Sequence, residues 1–165
     1  MSVVARSPLS SVFLLHIALE APLALQAFWS PQSLPFLQMN NTTVLMLKVR
    51  SYSGFRSRVA THIKKLYGAL IAGSCVTAFL AYPLPEFLPG KRALAIGFCI
   101  YHSVVSTILF QAPRFIPHSL GPFLESINIT PEVVWGTFHG VLGLAMIVWW
   151  QVTLQYAAAV RGAAQ

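Results

Sequence analysis

The sequence predicts an all-α fold, a polytopic membrane protein built as a bundle of four transmembrane helices. Three observations carry that reading. Of the 165 residues, 56% are hydrophobic and only 9% are charged, whereas soluble domains carry about 25% charged residues. Mean hydropathy is strongly positive at +0.66. The apolar residues also gather into runs approaching the length of about 20 residues that a bilayer-spanning helix needs. Proline-rich polar stretches separate the runs. The length suits one membrane domain over 1–165 and leaves no room for a separate soluble one.

The first span is expected over about 9–29, Leu9 to Trp29, with Arg6 as a flanking cation and Trp29 as an interfacial anchor. Pro22 lies inside it and predicts a bend near Ala18. The rival reading of residues 1–28 is a cleavable signal peptide ending at Ala24-Leu25-Gln26-Ala27. His16 and Glu20 argue against it, because they would interrupt the apolar region of such a peptide. Residues 30–43 then form an uncharged connection that Pro31 and Pro35 keep non-helical. It contains overlapping glycosylation sequons at Asn40 and Asn41.

The second span, 66–82, is short. The fragment 44–48 would extend it, but the basic stretch 49–65 intervenes. Skipping that stretch joins 44–48 to 66–82 as one uninterrupted apolar run. Val49-Arg50 can be encoded with a common splice-donor sequence, and a terminal Lys65 codon can end in the acceptor dinucleotide. Two readings follow for residues 49–65: a retained intron, or a basic loop that touches anionic headgroups.

The third span runs over 93–112 after the turn Tyr82 to Gly90 and carries His102 near its midpoint. The fourth, over 132–155, opens with Thr130-Pro131-Glu132. A threonine N-cap, a proline at the first helical position and an acid in the first turn form a specific helix start. Trp135 is expected at one membrane interface, and Trp149, Trp150 and Tyr156 at the other. A third sequon lies at Asn128.

Four spans put both termini on one side, together with Arg6, Lys91, Arg92 and Arg161. The sequons fall on the other side. The positive-inside rule and the sequons then agree on cytoplasmic termini in an endomembrane such as the endoplasmic reticulum. The stretch 49–65 alone opposes that orientation.

The formal charge of +7 is not a nucleic-acid footprint, because no groove-reading or base-stacking motif accompanies it. Cys75 and Cys99 have no close partner and read as small apolar residues.

The groups that could carry chemistry are His16, Glu20, His102 and His139. Charged at mid-membrane, each costs about 2.5–3.5 kcal/mol on insertion scales, so all are expected to face the bundle interior. His16 and Glu20 share one helical face at i and i+4. His102 and His139 lie at compatible depths on two other helices. Tyr101, Ser103, Gln26 and Gln111 are candidate supporting donors. This set suits acid–base work on a lipid-soluble substrate: isomerisation, cyclisation or hydration. A metal site of three histidines and a glutamate is chemically feasible, but no dense ligand motif marks one, and no cofactor is expected.

Two other function classes fit the same residues. One is a non-catalytic subunit or assembly factor whose polar groups join helices, at about 0.6 kcal/mol per interhelical hydrogen bond. The other is an oligomeric proton-coupled carrier, although the sequence contains no internal repeat. Expected partners are the bilayer, a hydrophobic small molecule and a second copy packed through Gly136 and Gly140; Ala69 and Gly73 form a similar pair.

Overall fold

The computed structural model describes residues 8–29, 53–111, 116 and 120–163. They form helices and no strands. A 3₁₀ turn, Pro8–Ser10, leads into α1, Ser11–Trp29. Then follow α2, Ser53–Ala81; α3, Pro89–Gln111; the short α4, Pro122–Ser126; and α5, Pro131–Ala163. Four of them are long and apolar enough to cross a membrane, over Ser11–Trp29, Thr61–Ala81, Pro89–Gln111 and Pro131–Gln155. The protein is an all-α, multi-pass membrane bundle.

Local chemistry sets the helix boundaries. Prolines at the first position start α3, α4 and α5, where a missing N–H costs nothing. Thr130 caps α5 by accepting from Val133 N at 3.3 Å. Glu132 does more than complement the helix dipole: its Oε1 accepts from Ile116 N at 2.7 Å and ties the preceding connection to the start of α5. Pro22 lies on the outer side of α1, and the helix continues through it.

The long helices pack as two close pairs, α1 with α2 and α3 with α5; a lighter contact between α1 and α5 joins the pairs. Near the end where α1 begins, Phe13, Ala78, Phe98, Met146 and Trp149 bring all four helices into one apolar core. Toward the opposite end, Leu23, Ala24, Ala27, Ile71 and Cys75 form a second cluster from α1 and α2 alone. The outer surface is rich in large apolar side chains, among them Leu15, Leu70, Phe79, Ile100, Ile108 and Leu144. The most enclosed positions include His16, Glu20 and His102. Apolar outside and polar inside is the pattern for a bundle solvated by lipid.

Glycines set the closeness of each pair. A Cβ at Gly68 would lie 2.5 Å from Ala27 Cβ, so α1 and α2 touch there. Gly136, Gly140 and Gly143 lie against Leu109, Ser106 and His102 of α3. The expected dimerisation face at Gly136 and Gly140 is therefore occupied within the chain. The small-residue contact on α2 is made by Gly68 instead of Ala69 and Gly73, which are both exposed.

Two residues expected at the membrane surface differ from the sequence reading. Trp149 is buried, and its Nε1 donates to Ser10 Oγ at 3.3 Å. Lys91 is only 2% exposed. Its Nζ donates to Ser10 Oγ, Tyr82 O and Leu84 O at 3.1, 3.2 and 2.9 Å. It also lies 5.3 Å from the Phe13 ring centroid and 5.5 Å from that of Trp149. Ser10 in turn donates to Glu86 at 2.8 Å. A cation at a helix N-terminus opposes the dipole; carbonyls and aromatic faces compensate here.

Residues 53–65, read from sequence as part of an insertion, are helical and continuous with the second span. The span reaches 21 residues as Thr61–Ala81 without help from 44–48. At about 1.5 Å per residue the 29 residues of α2 exceed a hydrocarbon core of about 30 Å, so one end projects beyond it. Residues 44–52, Asn40 and Asn41 lie outside the described residues. Asn128 is exposed, with φ of 60° in the turn before α5, a conformation asparagine tolerates.

Candidate functional site

Each of the four long helices contributes to one polar layer on the seam between the two pairs. From α1 come His16 and Glu20, from α2 Ser74, from α3 Tyr101 and His102, and from α5 His139. His16, Glu20 and His102 are 0% exposed and His139 is 3% exposed. All four residues expected from the sequence to form the site therefore meet.

The three imidazoles form a continuous row. His102 Nδ1 lies 2.9 Å from His139 Nδ1, and His102 Nε2 lies 2.9 Å from His16 Nδ1. His16 Nε2 lies 3.1 Å from Ser74 Oγ. Ser74 Oγ donates to Ile71 O at 2.8 Å, and that fixes the direction of the row. A hydroxyl has one proton, and this one is already committed. Ser74 therefore accepts from His16 Nε2–H. With neutral rings, His16 Nδ1 then accepts from His102 Nε2–H, and His102 Nδ1 accepts from His139 Nδ1–H. Each ring has one defined tautomer, and the row ends at a backbone carbonyl. His16 is held flat against Phe98, with ring centroids 4.1 Å apart and planes at 19°.

Glu20 stands beside this row without joining it. Its Oε1 is 3.6 Å from His139 Nδ1 and 4.0 Å from His102 Nδ1. Neither carboxylate oxygen meets hydrogen-bond geometry with any described residue. The Tyr101 hydroxyl lies beside Glu20 and Tyr67 and interacts with both, although it meets strict hydrogen-bond geometry with neither. Polar groups buried in a bundle are nearly always bonded. Glu20 and Tyr101 therefore face each other inside the polar layer, a carboxylate and a hydroxyl held loosely.

The same atoms could hold an ion. His16, Glu20 and His102 each offer a ligand atom within 4.8 Å of the others. His102 Nδ1, His139 Nδ1 and Glu20 Oε1 form a tighter triangle with sides of 2.9, 3.6 and 4.0 Å.

Ser74 was missed by sequence reasoning because the second span, as read over 66–82, has no histidine or charged residue. Its one available signal is its position three residues after Ile71 and one before Cys75, both of which face α1. Of the expected supporting donors, Tyr101 is at the site. Ser103 and Gln111 are exposed, and Gln26 is half-buried on α1. Ser106 has a structural part: it donates to Gly136 O at 2.7 Å and fastens α3 to α5.

Comparison with protein-family models, with characterised proteins and with solved structures finds no match.

Proposed function

We propose that the protein is a small membrane enzyme that performs acid–base chemistry on a hydrophobic substrate, with Glu20 and the His102–His139 pair as the reacting groups. One observation carries this reading: the Glu20 carboxylate is fully buried beside two imidazoles and the Tyr101 hydroxyl, with no well-formed hydrogen bond among the described residues. A carboxylate retained to join helices would be bonded, since an unsatisfied buried group costs about 1–3 kcal/mol or more. The carrier alternative needs a path for protons across the membrane; the histidine row ends instead at Ile71 O. Isomerisation, cyclisation and hydration all require a proton to be removed at one atom and delivered at another, which a carboxylate beside an imidazole pair suits.

For a chain without residues 49–65, the sequons at Asn40, Asn41 and Asn128 favour the endoplasmic reticulum. Cytoplasmic termini follow for a chain without residues 49–65, in which Arg6, Lys91, Arg92 and Arg161 outweigh Lys48 and Arg114.

The test is Glu20→Gln, which keeps the shape and removes the carboxylate. Wild type and variant are expressed in source cells whose own gene is disrupted, and membrane lipids are separated chromatographically. Isomers shift in retention and hydrated products gain one water. Wild type should create a product pool that the variant reduces at least about 100-fold, with equal folding in detergent. Identical lipid profiles, or a variant that simply unfolds, would overturn the reading.

A further inference from the structure

We infer that His102, His139 and Glu20 bind one divalent metal ion of the zinc class, with His16 as the residue that positions His102. This deepens the proposed function and rests on it for where the chemistry occurs, but ion binding itself stands on geometry alone.

The triangle of ligand atoms has sides of 2.9, 3.6 and 4.0 Å. A tetrahedral ion with bonds of about 2.0–2.1 Å sets its ligand atoms about 3.4 Å apart. The observed sides bracket that value, so small rotations of the side chains suffice. The three donors come from α1, α3 and α5, so the bundle supplies the convergence that the sequence does not announce in any local motif.

The histidine row supplies what a ligand set requires behind it. A metal-bound imidazole usually donates its other N–H to a neighbour, which fixes its tautomer and aim. His102 does this through Nε2 to His16 Nδ1, leaving the Nδ1 lone pair directed into the triangle. His16 is held in turn by Ser74, and Ser74 by Ile71 O. His139 gives up its hydrogen bond to His102 and moves its proton from Nδ1 to Nε2, with no change of charge. Glu20 enters by giving up no more than its loose interaction with Tyr101.

Charge points the same way. One carboxylate and a divalent ion sum to +1, and a single hydroxide in the fourth position brings the centre to zero. A neutral assembly is what a low-dielectric layer tolerates best. The fourth position would then present an ion-bound water or hydroxide to substrate, and the acid–base role proposed for Glu20 and the two imidazoles would be exercised through that group.

The experiment uses the full chain, purified from membranes in detergent through a tag without histidines, and exchanged over a chelating resin. Elemental analysis and titration with Zn²⁺, and with Co²⁺ read by visible absorption, give stoichiometry and affinity. Wild type should hold one ion per chain, with nitrogen and oxygen neighbours at about 2.0–2.1 Å by X-ray absorption. His139→Ala and Glu20→Gln should lose binding while retaining their chromatographic profile. His16→Ala should weaken it by about 10–100-fold, as expected of a supporting residue. Folded wild type that binds no ion above background would overturn the proposal. So would retention of the ion by His139→Ala with loss in His16→Ala, which would place the ligand set elsewhere. Enrichment in iron over zinc on isolation would overturn the zinc class. Ion binding in wild type with no lipid product would sink the enzyme reading and leave the metal site standing; product without an ion would do the reverse.

Discussion

His102 and His139 meet Nδ1 to Nδ1 across 2.9 Å, and this bond links the second helix pair internally at the depth where Glu20 reaches in from the first. One ring must donate and the other accept, so neither side chain is interchangeable with its partner. In chelator-treated, ion-free protein, a double-mutant cycle of His102→Ala and His139→Ala should give a coupling of about 0.6 kcal/mol, up to about 1.7, the range of interhelical bonds in membrane bundles. Unfolding by denaturing detergent in mixed micelles reads it. Strictly additive losses would mean the bond does not form.

Lys91 should be a stability residue. Lys91→Met keeps much of the side-chain volume but leaves Tyr82 O and Leu84 O without their donor. The expected loss is about 1–3 kcal/mol, measured by thermal unfolding in detergent, with any metal content unchanged, because the site is contributed by other residues. A variant as stable as wild type would show that water satisfies those carbonyls equally well.

Two glycines on one helix should behave oppositely. Gly68→Ala forces a methyl to 2.5 Å from Ala27 Cβ, where something must shift; overpacking of this kind costs about 1–3 kcal/mol. Gly73→Ala meets nothing within 4 Å and gains helix propensity, so it should be neutral or stabilising by up to about 1 kcal/mol. Equal effects from both substitutions would contradict the close approach of α1 and α2 at Gly68.

Orientation turns on residues 49–65. In the four-span topology expected from the sequence, Lys48, Arg50, Arg56, Arg58, Lys64, Lys65 and Arg114 of the intact chain fall on the side opposite the termini, seven cations against the four of Arg6, Lys91, Arg92 and Arg161. The positive-inside rule then predicts termini outside the cytoplasm and unused sequons. Deleting 49–65 leaves two against four and should turn the chain round, so that glycans appear on Asn40, Asn41 or Asn128. Gel mobility before and after glycosidase treatment distinguishes the cases. A glycosylated intact chain would show that charge does not set this topology. Sequencing the mature transcript decides separately whether the stretch belongs to the message.

The spans were legible because lipid imposes a length and a composition on any helix that crosses it. The meeting of His16, Glu20, His102 and His139 was legible for a related reason: each must avoid lipid, and their depths agree. Helix rotation and pairing were not legible, and the details depend on them. Nothing in the sequence distinguishes a tryptophan at an interface from Trp149 turned inward onto Ser10. Lys91 looked like a flanking cation because its acceptors are backbone carbonyls, which every residue carries. Residues 53–65 looked like a loop because hydropathy registers charge, while lysine and arginine are good helix formers.

The arrangement as two pairs has a consequence for how the molecule holds together. Each pair is closely packed, yet toward the far end no apolar cluster among the described residues unites all four helices. The protein is in effect two hairpins written in one chain, and the polar layer is where they are stapled. Any occupant bound by α1 on one side and by α3 and α5 on the other acts as a crosslink, stabilising the assembled state by mass action. Loss of that occupant would loosen the hairpins from each other before either one comes apart.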